Sequence, residues 1–293
     1  MAVAEPYLPP STGTLRSRVY VRVKRRRRSH AAVLDRIAIG LLAALTLMAF
    51  VTPLLAPFKP NLIAGDSFSH PGARFLLGTD EVGRDIFSRV LFGLRASWFA
   101  SLEVIASGVI IGGLIGLVAG TAGGWIDDVL MRITDVFLAL PGPILAIAVV
   151  AALGPSLQHT LIAVAIVWWP FYARIVRGEV KSLAARPHVE AARLAGVGRI
   201  RLAVRHLLPG AIPATVVTAS LDVGNLVLTL AILSFLGLGA PSPAPELGAM
   251  VARGLTYLLQ EWWVPIMPGL AVMFLAFVAN LAGDGARDLL GVA

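Results

Sequence analysis

The residues with the clearest chemical potential in this sequence are an acid and an amide inside a long apolar segment. Asp222 and Asn225 lie three positions apart in the run Ala211 to Leu236, so a helix would place them on one face. A carboxyl group there is costly unless it faces water or a partner. The pair predicts either hydrogen bonds between packed helices or one wall of a polar conduit. Three threonines on the same segment would keep such a wall wettable: Thr215, Thr218 and Thr229.

A second informative segment is a basic hydrophilic stretch between two apolar runs. Val176 to Leu194 suits a helix, Gly196 breaks it, and Ile200 to Leu207 suits a second short helix that Pro209 would end. Two short helices at an angle would form a compact projection, and small side chains would let it enter a groove on a partner. The pattern alone fits either an ordinary basic loop or a docking surface. The small residues are Ala191, Ala192 and Ala195.

The sequence lacks the residue sets that catalysis would require. It contains no cysteine and no H-E-x-x-H motif, and Ser107 has no histidine nearby in a plausible span. It also has no G-x-x-x-x-G-K-[ST] phosphate loop, so ATP should not be bound or hydrolysed by that route. We therefore expect a non-catalytic chain with no metal or bound cofactor. Any ATP and Mg would be used by partner subunits.

Composition indicates an integral membrane protein. Hydrophobic residues make up 57% of the 293 residues and charged residues only 14%, which leaves more apolar surface than a soluble domain of this size could bury. Apolar runs of spanning length predict an all-α protein with six transmembrane helices. These spans are Ile37 to Leu55, Ser97 to Ala119, Ile133 to Leu153, His159 to Val176, Ala211 to Leu236, and Val264 to Ala282.

The basic residues give the orientation of the spans. Most of the 25 Lys and Arg residues fall on one side, so the positive-inside rule predicts cytoplasmic termini and a cytoplasmic Glu190 loop. We expect a basic tail over residues 1–30, an uncleaved signal anchor, and one membrane domain over 31–293. The run Arg25 to Arg28 fits topology and contact with the lipid bilayer, or regulatory or nucleic-acid binding. The distribution favours the bilayer and no nucleic-acid partner.

Four glycines at a four-residue spacing mark one face of the second span. They would let another helix backbone approach closely, so this face should be a packing seam, although a moving or pore-lining role stays open. The residues are Gly108, Gly112, Gly116 and Gly120.

Two segments are predicted on the external side. In residues 57–96, Thr79 or Asp80 could cap a short interfacial helix that carries Arg84, Asp85, Ser88 and Arg89 on its polar side. That helix would anchor to the membrane or shape an entrance. Residues 237–263 hold too many prolines for one long helix and should form a loop with Trp262 and Trp263 at the headgroups. The candidate entrance or receptor contacts are Asp80, Arg84, Asp85 and Glu246.

Several motifs resemble one transporter family over about residues 35 to 290. Glu190-Ala191-Ala192, Gly196 and Leu208-Pro209 are similar to the cytoplasmic signature of permease subunits of binding-protein-dependent ABC importers. Three further segments resemble the C-type subunit of dipeptide and oligopeptide permeases. They are Leu77 to Asp80 with Gly83 to Asp85, Leu233 to Gly239, and Gly283 to Asp288. Gly210 departs from the pattern, because many relatives have Asn after the Leu-Pro pair.

The resemblance implies a type I ABC importer permease fold. Such a subunit pairs with a homologous second permease subunit, docks on one or two cytoplasmic ATPase subunits, and receives di- or oligopeptides from an extracytoplasmic substrate-binding protein. Relatives also carry nickel complexes, haem or glutathione. The alternative is a self-sufficient secondary transporter in which Asp222 carries a proton or ion. Carried over by motif, the ATPase contact of the 177–210 coupling loop would comprise Glu190, Ala191, Ala192, Gly196, Leu208 and Pro209.

Overall fold

The computed structural model describes residues 40–290, apart from the side chains of residue 286 and residues 288–290, and most of this part of the chain is helical. The basic tail and the start of the first predicted span lie outside the described residues. The helices are α1 Gly40–Leu55, α2 Ile86–Ala122, α3 Gly124–Ala139, α4 Gly142–Leu153, α5 Leu157–Ala184, α6 Pro187–Leu194, α7 Arg199–Leu202, α8 Leu208–Phe235, α9 Leu247–Gly254 and α10 Trp263–Leu290.

Within residues 40–290, four helical stretches are long and apolar enough to cross a membrane, and the bent pair α3–α4 would be a fifth. The four are α2, α5, Arg199–Phe235 and Trp263–Gly285. The described part of α1 is a shorter apolar helix. An all-α membrane architecture is therefore confirmed, whereas the number of six spans stays a prediction.

The second span is longer than the sequence suggested. Asp85 caps α2 by accepting a hydrogen bond from the Ser88 backbone N–H at 2.8 Å, and the helix continues to Ala122 without a break. The prediction of a separate interfacial helix capped by Thr79 or Asp80 was wrong. No proline separates the polar first turns from the apolar span, and the helix continues through Gly93, so the two form one rod.

The third predicted span, Ile133 to Leu153, is not one straight helix. α3 and α4 meet at 88°, and the break lies at Leu140, whose backbone is extended. Leu140 precedes Pro141, and the proline ring disfavours helical geometry in the residue before it. The fourth span is continuous through Pro170, with α5 running from Leu157 to Ala184.

The prediction that Pro209 ends a short helix was also wrong. A π-helical turn, Ala203–Leu207, joins α7 to α8, and Pro209 lies in the first turn of α8. Pro209 has no N–H to donate, and the Leu208 N–H before it donates to the Ala203 carbonyl across the π-helical turn, so the helical stretch continues past the proline. α7, the turn and α8 therefore form one continuous helical stretch, Arg199–Phe235.

The core of the bundle is built on two helix pairs. α2 packs along α5 through the four glycines of the predicted seam, and α8 packs along α10. A Cβ added at Gly112 would lie 2.2 Å from the Trp169 carbonyl oxygen, and one at Gly116 would lie 2.4 Å from that of Ala173. The seam prediction is confirmed, because these contacts are between backbones.

Candidate functional site

The basic segment that the sequence singled out is not one helix from Val176 to Leu194, because the chain breaks at Ala185 and Arg186 before Pro187. It forms a helical hairpin, defined here as residues 185–202. Helix α6 begins with Pro187 in its first turn and ends in a Schellman motif, in which the Gly196 N–H donates to the Arg193 carbonyl and the Val197 N–H to the Ala192 carbonyl. Gly196 has φ +78°, a left-handed conformation that favours glycine. Gly196 thus fixes the reversal between α6 and α7.

An apolar cluster anchors the hairpin to the long helices. Val189 of α6 and Leu202 of α7 are buried, and they pack with Leu183 of α5 and Leu207 of the π-helical turn. Because the hairpin shares one core with the ends of α5 and α8, a force on it reaches both helices directly.

The outer face of the hairpin carries the residues expected at a protein contact. Glu190 and Ala191 are exposed and Ala192 is half-buried. Leu194 and Ile200 are 87% and 83% exposed, which is unusual for large apolar side chains in a basic hydrophilic segment. Gly196 and Pro209 are also exposed, whereas Leu208 is half-buried, so the predicted contact residues do not form one flat surface.

Ion pairs between α3 and α5 were missed by the sequence analysis, which assigned their basic residues to topology alone. Arg177 donates to Asp127 through Nε at 2.5 Å and Nη2 at 2.8 Å, and Lys181 Nζ lies 2.6 Å from the same carboxylate. Farther along, Arg174 donates to Asp135 at 2.6 Å. Asp127 and Asp135 lie two helical turns apart, and this spacing could have been used to predict an acidic face on α3. These pairs fix the inner half of the bent α3–α4 segment to α5.

Asp222 is buried between α5 and α8. Its Oδ2 accepts hydrogen bonds from Trp168 Nε1 and from the Tyr172 hydroxyl, the latter at 3.2 Å. The Asn225 amide lies 3.5 Å from Oδ1, and its side chain is exposed on the surface of the isolated chain. The structure therefore shows the interhelical hydrogen bonds that the sequence offered as one reading. A pathway role for Asp222 and Asn225 stays a prediction.

The external residues predicted from 57–96 lie together but point inward. Asp80 is buried and accepts hydrogen bonds from the Val82 and Arg84 backbone N–H groups, and the Arg84 guanidinium lies 3.8 Å from it. Asp85 is buried and holds Ser88. Asp80 and Asp85 therefore stabilise the fold of this segment by internal hydrogen bonds. Contact with a receptor remains a prediction.

Arg89, which the sequence placed on a solvated face, is only 1% exposed. Its Nη1 donates to the Pro60 carbonyl at 2.7 Å and to the Pro243 carbonyl at 3.2 Å, and its Nε lies 3.6 Å from Asp80. One guanidinium thus joins α2 to both external segments, since its planar fork can serve several acceptors at once.

The second external segment, 237–263, folds back on the bundle through Glu246. Ser234 at the end of α8 donates to Glu246 Oε1, and the Ala240 N–H donates to Oε2 at 2.5 Å. Trp262 is half exposed, but Trp263 is buried and its indole lies against the Thr79 carbonyl. The prediction that both tryptophans lie at the headgroups was wrong for Trp263, because the first external segment covers it.

Likeness to solved structures defines the class of fold. The chain superposes on a membrane subunit in an inward-facing structure of the MetNI methionine ABC transporter with a TM-score of 0.55, covering 69% of this chain and 96% of that one at 20% identity. A structure of an amino acid ABC transporter with histidines gives 0.52, covering 70% and 92% at 20% identity. The fold is that of type I ABC importer permeases.

Residues 112–291 match the family model described as "Binding-protein-dependent transport system inner membrane component", and the chain belongs to this family. It is 44% identical to the probable D,D-dipeptide transport system permease protein DdpC of Escherichia coli, over 85% of this chain and 84% of the relative. It is 42% identical to the di/tripeptide transport system permease protein DppC of Pseudomonas aeruginosa, over 86% of each chain. The glutathione transport system permease protein GsiD of Pectobacterium atrosepticum is 41% identical, over 90% and 87%.

Proposed function

We propose that this chain is the membrane-spanning permease subunit of an importer that carries di- or oligopeptides across the bacterial inner membrane. Two of the three relatives above are named for dipeptides or di/tripeptides, and each is matched over more than four-fifths of its length. The chain would pair with a homologous second permease subunit around a shared pathway. Its termini would lie in the cytoplasm, as the positive-inside rule predicts.

The observation that carries this proposal is the hairpin 185–202. Partner ATPase subunits would bind its outer face through Glu190, Ala191 and Ala192, with Leu194 and Ile200 entering an apolar groove. Gly196 would preserve the reversal, and Leu208-Pro209 would set the junction with α8. ATP and Mg would be held by those partners, because this sequence has no phosphate loop.

The coupling proposed here is mechanical. The buried Val189–Leu202 contact joins the hairpin to the inner ends of α5 and α8, so closure of two ATPase subunits would move both helices together. Opposite ends of the same two helices lie beside the external segments. A rigid displacement would therefore switch the pathway between inward-facing and outward-facing states.

An extracytoplasmic binding protein would deliver the peptide to the outer surface. The segment 237–263 is the proposed docking surface, with Leu259 fully exposed at its tip. Asp80, Arg84, Asp85 and Glu246 would act there by holding the external segments in shape, since their polar groups bond within the chain. The comparisons give no support to a self-sufficient secondary transporter.

A substitution at Gly196 tests the coupling role. Gly196→Pro requires a φ near −65°, which the left-handed position cannot provide, so the hairpin would misfold locally while the spans still insert. In proteoliposomes with purified partners we expect ATP hydrolysis that no longer drives peptide uptake. Gly198→Ala is the matched control, because Gly198 has φ −63° and open space around it.

Normal ATP-driven uptake by the Gly196→Pro variant would refute the coupling proposal. Uptake in vesicles that hold this chain alone, driven only by an ion gradient, would instead restore the secondary transporter. The cargo itself is best identified from the ligand held by the soluble binding protein that copurifies with the complex.

A further inference from the structure

An acidic side chain that the sequence analysis passed over lies exposed in an apolar span. Glu103 of α2 is exposed in the isolated chain, beside the exposed apolar residues Leu102, Ala106 and Ile110. It is six residues beyond Ser97, the outer end of the predicted span, which is about 9 Å along a helix. A carboxyl group facing lipid at that depth is costly, so in the assembled protein this position is expected to face water or a polar partner.

The described part of the chain supplies no cation to Glu103. Ion pairs among residues 40–290 involve Asp80, Asp127 and Asp135, and none involves Glu103. This differs from Asp222, whose Oδ2 is occupied by the donors of Trp168 and Tyr172. The Glu103 carboxyl oxygens are therefore available to accept hydrogen bonds from a group outside the described chain.

Glu103 lines an open groove between α2 and α5. Its volume is about 570 Å³, within the usual size of ligand clefts. The groove begins at the outer end of α5 and follows that helix inward to Ala165, over about 12 Å. Gln158 adds an exposed amide near its outer end. The lining residues are Glu103, Val104, Ser107, Leu157, Gln158, Leu161, Ile162 and Ala165.

We propose that this groove is the outer segment of the translocation pathway and that Glu103 binds the α-ammonium group of the peptide in transit. The inference rests on the proposed function, which supplies a cargo bearing that cation. Charge complementarity selects the occupant: a carboxylate in a low-dielectric wall attracts an ammonium group strongly, and the Gln158 amide can bond the adjacent peptide carbonyl. The other lining residues are mostly apolar, so they would accommodate different peptide side chains without selecting among them.

Thiol labelling tests whether the groove is aqueous, and it does not depend on the identity of the cargo. The chain has no native cysteine, so Glu103→Cys, Gln158→Cys and Leu102→Cys each carry a single thiol. The full complex in right-side-out vesicles is treated with a membrane-impermeant cationic thiol reagent, and the mass of this chain is measured. We expect Glu103→Cys and Gln158→Cys to react about tenfold faster than Leu102→Cys, the control at the same depth, because ionised thiols require water.

Uptake kinetics test the ammonium contact. Glu103→Gln should raise the KM for dialanine uptake about tenfold with little change in kcat, since a charge-assisted hydrogen bond is lost. Glu103→Asp should recover much of the affinity. If the contact is to a lysyl side chain instead, Glu103→Gln would impair alanyl-lysine uptake and leave dialanine unchanged, which would overturn the α-ammonium assignment.

Two results would overturn the proposal as a whole. Glu103→Cys that is unreactive in both the nucleotide-free and ATP-bound states would place it against lipid or the second permease subunit. An unchanged KM for both peptides in Glu103→Gln would show that Glu103 does not bind a cationic group of the peptide. Failure of the proposed function is distinguishable, because wild-type complexes would then show no ATP-driven peptide uptake at all.

Discussion

Asp222 illustrates how the partners of one side chain define its role. In the sequence it was an ionisable group in an apolar run, and both a structural and a transport role fitted. In the folded chain its carboxylate is held by Trp168 and Tyr172, which lie one helical turn apart on α5. It therefore ties α5 to α8 near the middle of the bundle, next to the α2–α5 glycine seam.

Replacement of Asp222 should separate a hydrogen-bonding role from an ionisable one. Asp222→Leu leaves the Trp168 and Tyr172 donors unpaired, whereas Asp222→Asn keeps one acceptor oxygen. We expect Asp222→Leu to be less stable than Asp222→Asn by about 1 kcal/mol in thermal melts of the detergent-solubilised complex. ATP-driven uptake should survive in Asp222→Asn. A folded Asp222→Asn variant without transport would instead assign the carboxylate an ionisable function.

The glycine seam offers a comparison between neighbouring positions. Gly112→Ala would bring a methyl group to 2.2 Å from the Trp169 carbonyl oxygen, so α2 and α5 must separate. We expect a loss of about 1–3 kcal/mol, seen as a lower melting temperature. Gly113→Ala meets nothing within 4 Å and should be neutral or slightly stabilising. Equal melting temperatures for the two variants would show that the seam is not close-packed in the assembled protein.

Among the helices, proline has different consequences at different positions. Pro141 follows a residue in extended backbone and coincides with the 88° bend between α3 and α4. Pro170 lies within a continuous α5, and Pro209 lies in the first turn of α8. The bend occurs at the residue before Pro141, whose backbone is extended, whereas α5 stays continuous through Pro170 and packs along α2 through the glycine seam.

The external connection between α8 and α9 should respond to pH through Glu246. Burial raises the pKa of this carboxyl above its ordinary value of 4.5, despite opposing hydrogen bonds from Ser234 and Ala240. A raised pKa in the folded state means that protonation favours folding. The contribution is complete below pH 4.5 and is lost as the pH rises through the folded-state pKa.

Glu246→Gln, which keeps the shape and stays neutral, should remove this part of the pH dependence. Thermal melts of wild type and variant from pH 4.5 upward are expected to diverge, with the wild type losing stability relative to the variant. Glu190→Gln, at an exposed position of the hairpin, is the control for the loss of one carboxylate. Parallel curves for wild type and Glu246→Gln would contradict the burial of the carboxyl in the assembled protein.

For the chain as a whole, the two ends of the bundle are built differently. One end is closed by segments that Arg89 and Glu246 hold against α2 and α8. The other end projects a hairpin whose tip leaves Leu194 and Ile200 exposed. This asymmetry fits a subunit that receives its cargo at one surface and mechanical work at the other.

The orientation of the chain can be tested with single thiols. Leu259→Cys, fully exposed in the second external segment, should react with an impermeant reagent only from outside. Leu194→Cys should react only from the cytoplasmic side, and bound ATPase subunits should slow its reaction. Labelling of Leu194→Cys from outside would show that the topology is the reverse of the predicted one. Labelling that is unaffected by the ATPase subunits would show that they do not dock on the hairpin.

Much of the architecture could be predicted from the sequence because membrane insertion depends on local properties. Apolar run length predicted the helical class, the spacing of Gly108 to Gly120 predicted the packing seam, and the motifs around Glu190 predicted the family. Each signal is carried by residues close together in the chain, and the bilayer requires helices wherever such runs occur.

The partners of the polar side chains could not be predicted, because they lie far apart in sequence. The Asp222–Trp168 bond spans 54 positions and the Arg89–Pro243 bond spans 154, so neither leaves a local pattern. The same holds for Asp127 with Arg177, and for Trp263 beneath the first external segment. Local hydropathy places a residue in a span, but its neighbours across the bundle are set by how the helices pack, and these neighbours determine whether a charge is satisfied within the chain or left available, as at Glu103.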